Sequence, residues 1–440
     1  MAKLRLLSVC ALVVLAVPLF TYAAETTNTP ITFTKDIAPI FQEKCEACHR
    51  PDSIAPMSLV TYEAARPWAK AIRERVVTRQ MPPWHIDKTV GIQKFKNDRS
   101  LSDAQIDTIV KWVDAGAPKG EVKDMPAPKN WPDESKWNFA ALYGPPDLVI
   151  KSPDWTVPPV GQDAWYKPVV STGITEPRYV RAIEIRPATV KGRKVTHHAL
   201  ARLQQQEADA DPNDDQAGVG GLFMEWAVGK QGEQMRPDTG KLMLPGSKII
   251  FEMHYHSVGE QITDHVELGI YLYPKGEEPK FRQTLAALQS VAGGMRNIDI
   301  PPNSTFVSQN FIPMRRAGRV ESYQPHMHLR GKAMSMEAIL PTGQTVMLSH
   351  VNNFNFNWHN SYVYSDDVAP LLPKGTILKI TSWYDNTRAN KNNPDPDQWV
   401  GFGDRTVDEM GHAWVNISYM SDEDYQAELS KRKVETAAQQ

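Results

Sequence analysis

The apolar positions of this chain change their period more than once. Residues 6–20 form an apolar core, behind Lys3 and Arg5 and ahead of the small-residue exit Thr21-Tyr22-Ala23. The run is shorter than the ~20 residues a membrane-spanning helix needs, and its flanks are those of an export signal, so residues 1–23 read as a cleaved signal peptide. From 31 to 120 the apolar positions recur at helical spacing. Residues 33–44 and 62–78 are two such stretches. A third opens at Leu101-Ser102-Asp103. Ser102 or Asp103 can cap it, Ile106, Ile109, Val110 and Val113 make one face, and Gly116 with Pro118 stops it. Residues 31–120 are therefore expected to form a small all-α unit. Residues 121–145 are proline-rich and polar with no period, which reads as a linker. Beyond residue 146 the pattern becomes extended. Residues 249–256, 265–273, 377–384 and 413–420 read as strands, with turns at Pro274-Lys275-Gly276 and Pro341-Thr342-Gly343. The charged residues 422–440 read as a short helix or a tail.

Composition sharpens this picture. The 440 residues include 34 prolines, 26 glycines and 12 tryptophans, punctuation suited to many short strands. A formal net charge of -2 argues against nucleic acid and against an anionic membrane surface as partners. No second long apolar run follows the signal, so no membrane span is expected. The mature protein should be exported, with the bacterial periplasm as its home. Of the 3 cysteines, Cys10 lies inside the signal, too close to its start to be the first residue of a lipoprotein. Cys45 and Cys48 remain.

Those two cysteines stand in Cys45-Glu46-Ala47-Cys48-His49, the C-x-x-C-H pattern that attaches a c-type haem. Two thiols at this spacing can bond the two vinyl groups, and the adjacent His49 then meets the iron as proximal ligand. Met81, in Met81-Pro82-Pro83-Trp84, sits in a loop the prolines hold extended and is the expected distal ligand; Met57 and His85 are the alternatives. Residues 31–120, including the closing helix, resemble a cytochrome c domain.

The 12 histidines are unevenly spread. Three groups lie in the β region: His197-His198, His254-Tyr255-His256 and His326-Met327-His328. His412 follows Met410. Residues i and i+2 of a strand face the same way, so His326 and His328 can serve one metal ion. Adjacent residues face opposite ways, so His197 and His198 can share an ion only where the strand bends. Neutral imidazole suits copper, zinc, iron and nickel, and an added thioether favours copper, Cu(I) above all.

At this point residues 146–420 become similar to the copper type II, ascorbate-dependent monooxygenases, the family of peptidylglycine α-hydroxylating and dopamine β-monooxygenases. The resemblance rests on four elements in order: His197-His198; Glu252-Met253-His254-Tyr255-His256; Pro325-His326-Met327-His328; and Asp408-Glu409-Met410. It implies two all-β jelly-roll sandwich domains, at 146–287 and 288–421, whose two copper ions face each other across a solvent-filled cleft. One copper would be held by His197, His198 and His254, with His256 outside the ligand set, and would store and deliver electrons. The other, held by His326, His328 and Met410, would bind O2 and take a hydrogen atom from a substrate C–H bond. The family's peptide-anchoring arginine and tyrosine are replaced here by Gln324 and Trp414, which speaks against a peptide carboxylate. Gln324, His412 and Trp414 are the candidate substrate contacts, His412 being open also to adding a metal ligand or simply packing, and residues 354–359 are a further candidate lining.

The expectation is thus an exported monooxygenase that hydroxylates an unidentified small molecule or peptide. A haem c on the same chain would replace ascorbate by passing single electrons from a periplasmic or quinol-linked donor to the first copper. The alternative is a haem and copper protein for electron transfer or copper handling, with no substrate. A blue-copper carrier needs a cysteine ligand that the haem has already taken.

Overall fold

The computed structural model describes residues 30–438 except 52, 54, 132–135, 207–220, 228–229 and 231. The expected signal peptide, with Cys10, lies outside the described residues. The chain is mostly β-sheet with a few short helices, an arrangement compatible with a β-sandwich. Among the described residues no helix is long and apolar enough to cross a membrane.

The N-terminal helices carry a hydrophobic cluster of their own. The helix Asp103–Asp114 begins as expected: the Ser102 hydroxyl accepts from the Gln105 amide, and the Gln105 side chain returns a bond to Ser102. Gly116 follows it with a positive φ of 87°. The buried face differs from the expected one in its main member. Trp112, fully buried, packs on Phe33 and Phe41 at ring distances of 6.0 and 6.4 Å, and its Nε1 donates to the Pro118 carbonyl at 3.0 Å. Burying each of these rings contributes roughly 1.5–3 kcal/mol.

One ten-stranded sheet runs through both halves of the β region. The strand Arg178–Pro187 lies between Val266–Leu272 and Thr239–Met243. Thr239–Met243 then pairs in parallel with Phe281–Gln289, which pairs with His412–Met420, which pairs with Ala317–His326. The expected boundary at 287/288 therefore falls inside a strand. Each half of this sheet is covered by a second sheet. Lys248–Tyr255 and Thr196–Gln204 turn Ile249, Phe251, Met253, Ala199, Ala201 and Leu203 toward Ile183, Ile185, Leu268 and Ile270. Gly331–Ile339 and Ile377–Asp385 turn Met334, Met336, Leu378 and Ile380 toward Val320, Val415 and Ile417.

Two expected segments find different places. Residues 84–97, assigned by sequence to the helical unit, are drawn into the second β half. Trp84, Ile86 and Phe95 join its core, Ile86 bridges to Val351, and Phe95 bridges to Tyr364. Trp84 and Tyr362 meet at 4.7 Å, and burial of these apolar side chains outweighs continuation of the helices. The expected linker is not free either. Gln42 and Lys129 exchange side-chain bonds with the backbone at Ala127 and Gln42, and Trp131 donates to Glu46 at 3.2 Å. Downstream, the buried Glu184 carboxylate accepts from the Asn138 amide (2.7 Å), its side chain (2.8 Å), the Phe139 amide (2.7 Å) and Tyr271 Oη (2.9 Å). Glu184→Ala should therefore destabilise the protein by about 3 kcal/mol, because charge-assisted bonds are lost and buried donors are stranded. Thermal unfolding would read the loss, and limited proteolysis should find new cleavage between residues 136 and 146.

The C-terminal residues form the helix Asp422–Ala438, docked by Arg319 to Glu428 at 3.1 Å and by Lys280 to Asp424 at 2.8 Å.

Candidate metal and haem centres

Alternation along Lys248–Tyr255 sends Ile249, Phe251 and Met253 into the core, so His254 faces the other way. Alternation along Thr196–Gln204 does the same for His198, directly opposite His254. The next pair is Tyr255 with Thr196, so the register skips His197. This β-bulge is the bend that an adjacent His-His pair needs. It brings the His197 and His198 Nδ1 atoms to 3.1 Å and both rings to 5.1 Å from His254. Two nitrogens each ~2.0 Å from one ion at a tetrahedral angle lie about 3.3 Å apart. One donor atom from each of His197, His198 and His254 lies within 4.8 Å of the other two, the one such group among the described residues.

Asp163 holds this group from behind. It accepts from His254 Nε2 at 2.9 Å and His256 Nδ1 at 2.7 Å. The bond fixes the His254 tautomer and leaves its Nδ1 buried and unpartnered. Trp165 stacks on the same ring at 4.4 Å. His256 is exposed and reaches the site only through Asp163. Burial first, then the neighbouring His254, pushes the His197 pKa down to about 4; His198 and His254 are lowered too. All three are neutral at physiological pH, the form that binds a metal. If this group holds a metal ion, Asp163→Asn should weaken its binding about 10- to 100-fold, the usual cost of losing a ligand's hydrogen-bond partner. A competitive titration would measure it, with the second group's affinity unchanged.

The second group forms at the facing ends of Ala317–His326 and His412–Met420. His326 lies directly opposite His412, and their rings stack at 4.6 Å. His328 follows in a loop that Glu409 organises. The buried Glu409 carboxylate accepts from the amides of His328 (2.9 Å), Arg330 (2.6 Å) and Met410 (3.3 Å). His328 Nδ1 donates to the Asp408 carbonyl at 3.1 Å, which leaves Nε2 as the nitrogen that could meet a metal. Met410 is half-buried, and its carbonyl accepts from Tyr384 Oη at 3.1 Å. A Cβ at Gly411 would run into Tyr384 Oη and Ser290 Oγ, so only glycine carries the chain from Met410 to His412. Both ring nitrogens of His412 are buried without partners. A further histidine, His359, lies with its Nδ1 3.2 Å from His326 Nδ1. Burial first, then neighbouring histidines, pushes His359 and His412 down to about 3; His326 and His328 are also lowered. These residues too are neutral donors.

One aromatic ring, that of Phe356, touches both groups. Phe356 stacks on His197 at 5.7 Å and meets His328 at 5.8 Å. Leu200, Leu222, Leu285 and Trp414 form an apolar cluster. Gln324 is buried, donating to Glu225 and accepting from Lys230 at 3.3 Å. Gln324 and Trp414 are thus engaged in holding the halves together, where the resemblance implied an open cleft.

The cysteine pair lies in a turn after the helix Ala38–Lys44. The Cys48 and His49 amides both donate to the Cys45 carbonyl, at 3.1 and 3.0 Å. Neither thiol is in a disulfide. Burial first, then Glu46 and Cys48, pushes Cys45 up to about 12, unlike the depressed thiol of a redox pair. His49 Nδ1 donates to the Met57 carbonyl at 3.1 Å, so its Nε2 is the atom left to meet an iron. These features fit a c-type haem. They also put the Met57 backbone on His49's own side. His85 is buried against the second β half, its amide donating to Tyr362 Oη at 3.2 Å. Met81 is half-buried in the loop between.

Sequence reasoning missed Asp163, Trp165 and the organising role of Glu409. No local pattern marks Asp163, which lies 91 residues before His254. His359 stood inside a stretch already noted, but nothing nearby marked it as a donor.

No family model matches this chain, and no curated protein matches it. Among solved structures, the infectious bursal disease virus Gx strain is similar at 11% identity over 67% of this chain and 75% of that one, with a TM-score of 0.18. The VP2 subviral particle of the same virus gives 12% identity, 62% and 73% coverage, and a TM-score of 0.17. Superpositions this poor carry no argument about fold or function.

Proposed function

We propose that this chain is an exported, copper-dependent monooxygenase related to the copper type II, ascorbate-dependent family, with two jelly-roll sandwich domains and a fused haem c unit supplying electrons. The observation that carries the proposal is the bulged His197-His198 pair converging with an Asp163-oriented His254, opposite a second group containing His326, His328 and the Met410 segment. A store of zinc or copper has no need of two histidine groups, one oriented by a carboxylate and the other beside a methionine.

His197, His198 and His254 would hold the electron-transferring copper, and His326, His328 and Met410 the O2-binding copper. When bound, copper would supply the O2 chemistry that places one oxygen atom in a substrate C–H bond and releases the other as water, at two electrons per turnover, and haem would supply those electrons singly. The protein's part is to keep seven imidazoles neutral, to fix the tautomers of His254 and His328, and to exclude bulk water around them. Cys45, Cys48 and His49 would bind the haem, with Met81 the distal ligand. The Met81 loop touches the second histidine group: the Pro83 carbonyl accepts from Asn360 Nδ2 at 2.8 Å, next to His359. This contact favours delivery of electrons to the His326 side, whereas the sequence reading sent them to the first copper, at His197, His198 and His254. The periplasm suits these parts, with a periplasmic or quinol-linked donor, O2 and an unidentified small molecule or peptide as partners.

Metal and haem analysis of the full-length protein, made in a host that matures c-type haem, tests the proposal. One haem and two coppers are expected, with His197→Ala and Met410→Ala each losing or weakening one copper. Zinc in place of copper, or no metal, would sink it.

The Phe356 ring lying against both histidine groups favours a second reading, a haem and copper electron-transfer or copper-handling protein without a substrate. O2 consumption coupled to a hydroxylated product separates the two.

A further inference from the structure

The second histidine group contains a donor that the His-x-His and methionine pattern does not include. His359 lies on an irregular stretch after the strand Thr345–Val351 and is only 6% exposed. Its Nδ1 stands 3.2 Å from His326 Nδ1. That spacing matches the 3.1 Å between His197 and His198 in the converged first group, and it is close to the ~3.3 Å expected for two nitrogens on one ion. The stacked partner of His326 behaves differently. His412 stacks on it at 4.6 Å and 28° with no ring nitrogen in hydrogen-bond contact, while His359, inclined almost equally at 5.0 Å and 32°, brings its Nδ1 to 3.2 Å. His412 supports the ring of His326, whereas His359 meets it nitrogen to nitrogen.

The position of His359 is set from outside the group. Asn360 is tied to the Pro83 carbonyl at 2.8 Å, and Tyr362 is wedged by Trp84 at 4.7 Å. Phe356 closes the ring's other side at 5.6 Å. The Nε2 of His359 is buried with no partner, and the ring's hydrogen bond to the Phe356 backbone is one that an ion taken at Nδ1 would displace. A neutral histidine held this way, beside a ligand histidine, is a metal donor in waiting.

We propose that His359 is a third imidazole ligand of the second copper, alongside His326 and His328; the donor atoms of these three, unlike those of the first group, do not all lie within 4.8 Å of one another and would be drawn together by the ion. The assignment rests on the reading of this group as a copper site. It gives that copper a more nitrogen-rich set than two imidazoles and a thioether, which favours Cu(II) more than the softer set does.

The test uses the full-length haem-loaded protein and copper ion alone. His359→Gln and His359→Ala are compared with wild type and with His326→Ala. Copper is titrated against a competing chelator, and the Cu(II) paramagnetic resonance spectrum is recorded in a His197→Ala background that leaves the second group to dominate. We expect both His359 variants to weaken the second copper at least tenfold and to reduce its coupled nitrogens from three to two. The midpoint potential of that copper should rise. Haem content and first-site affinity, unchanged, show that the fold survives; if alanine disturbs them, the glutamine variant decides. A second copper lost in His326→Ala but unaltered in both His359 variants overturns the assignment, and the His326–His359 contact is then only an imidazole–imidazole hydrogen bond. A wild-type protein that takes up no second copper overturns both the assignment and the copper-site reading beneath it.

Discussion

His326→Ala should abolish hydroxylation while leaving haem and the first copper in place. His326 is the hub of the second group: it stacks on His412, meets His359 at 3.2 Å and shares its strand end with the Met327-His328 loop. Removing it deletes a ligand and the ring against which two other histidines are set. The turnover rate should fall by at least about 10³-fold, the scale on which loss of one essential catalytic group acts. Copper analysis should show one ion per chain. His198→Ala is the mirror case, because His198 lies directly opposite His254 and closes the first group. It should remove the other copper and leave the second. A variant of either kind that keeps both coppers and full turnover would show that these histidines are packing residues.

The second large effect belongs to the haem unit. The double substitution Cys45→Ala, Cys48→Ala should yield a protein without covalent haem, detectable as loss of the haem band after denaturing electrophoresis. Its β region should still load copper, since the helical cluster and the two β cores are separate. Turnover with the physiological donor should vanish, and a small-molecule reductant should restore it. Equal loss with both reductants would mean that the haem unit serves folding of the β region and not its electron supply. The strap of residues 84–97 makes that outcome a real alternative, because Trp84, Ile86 and Phe95 are core residues of the second β half.

Much of the site was legible because its chemistry is local. His-x-His on a strand fixes a common face by alternation alone. Cys45, Cys48 and His49 carry their spacing in five consecutive residues. His197-His198 was legible only as a demand for a bend; the bulge that meets it depends on pairing with His254, 56 residues away, which no local pattern encodes. Asp163 and His359 were hidden for the same reason: each meets its partner through tertiary structure. The strap was partly readable, since Trp84 and Ile86 alternate after two prolines like a short strand, but its helical surroundings masked it. The linker was misread because Glu184 and Gln42, the groups that anchor it, lie outside it. The same holds for two expected substrate contacts. Gln324 and Trp414 look like substrate contacts in sequence and are held by Glu225, Lys230, Leu200 and Leu285 in the fold.

The most direct measurement follows the haem absorbance after O2 is mixed with the fully reduced protein. If haem electrons reach O2 through the histidine-held coppers, ferrous haem is oxidised rapidly in copper-loaded protein and slowly in copper-free protein or His326→Ala. Haem oxidation at one rate in all three would contradict the account.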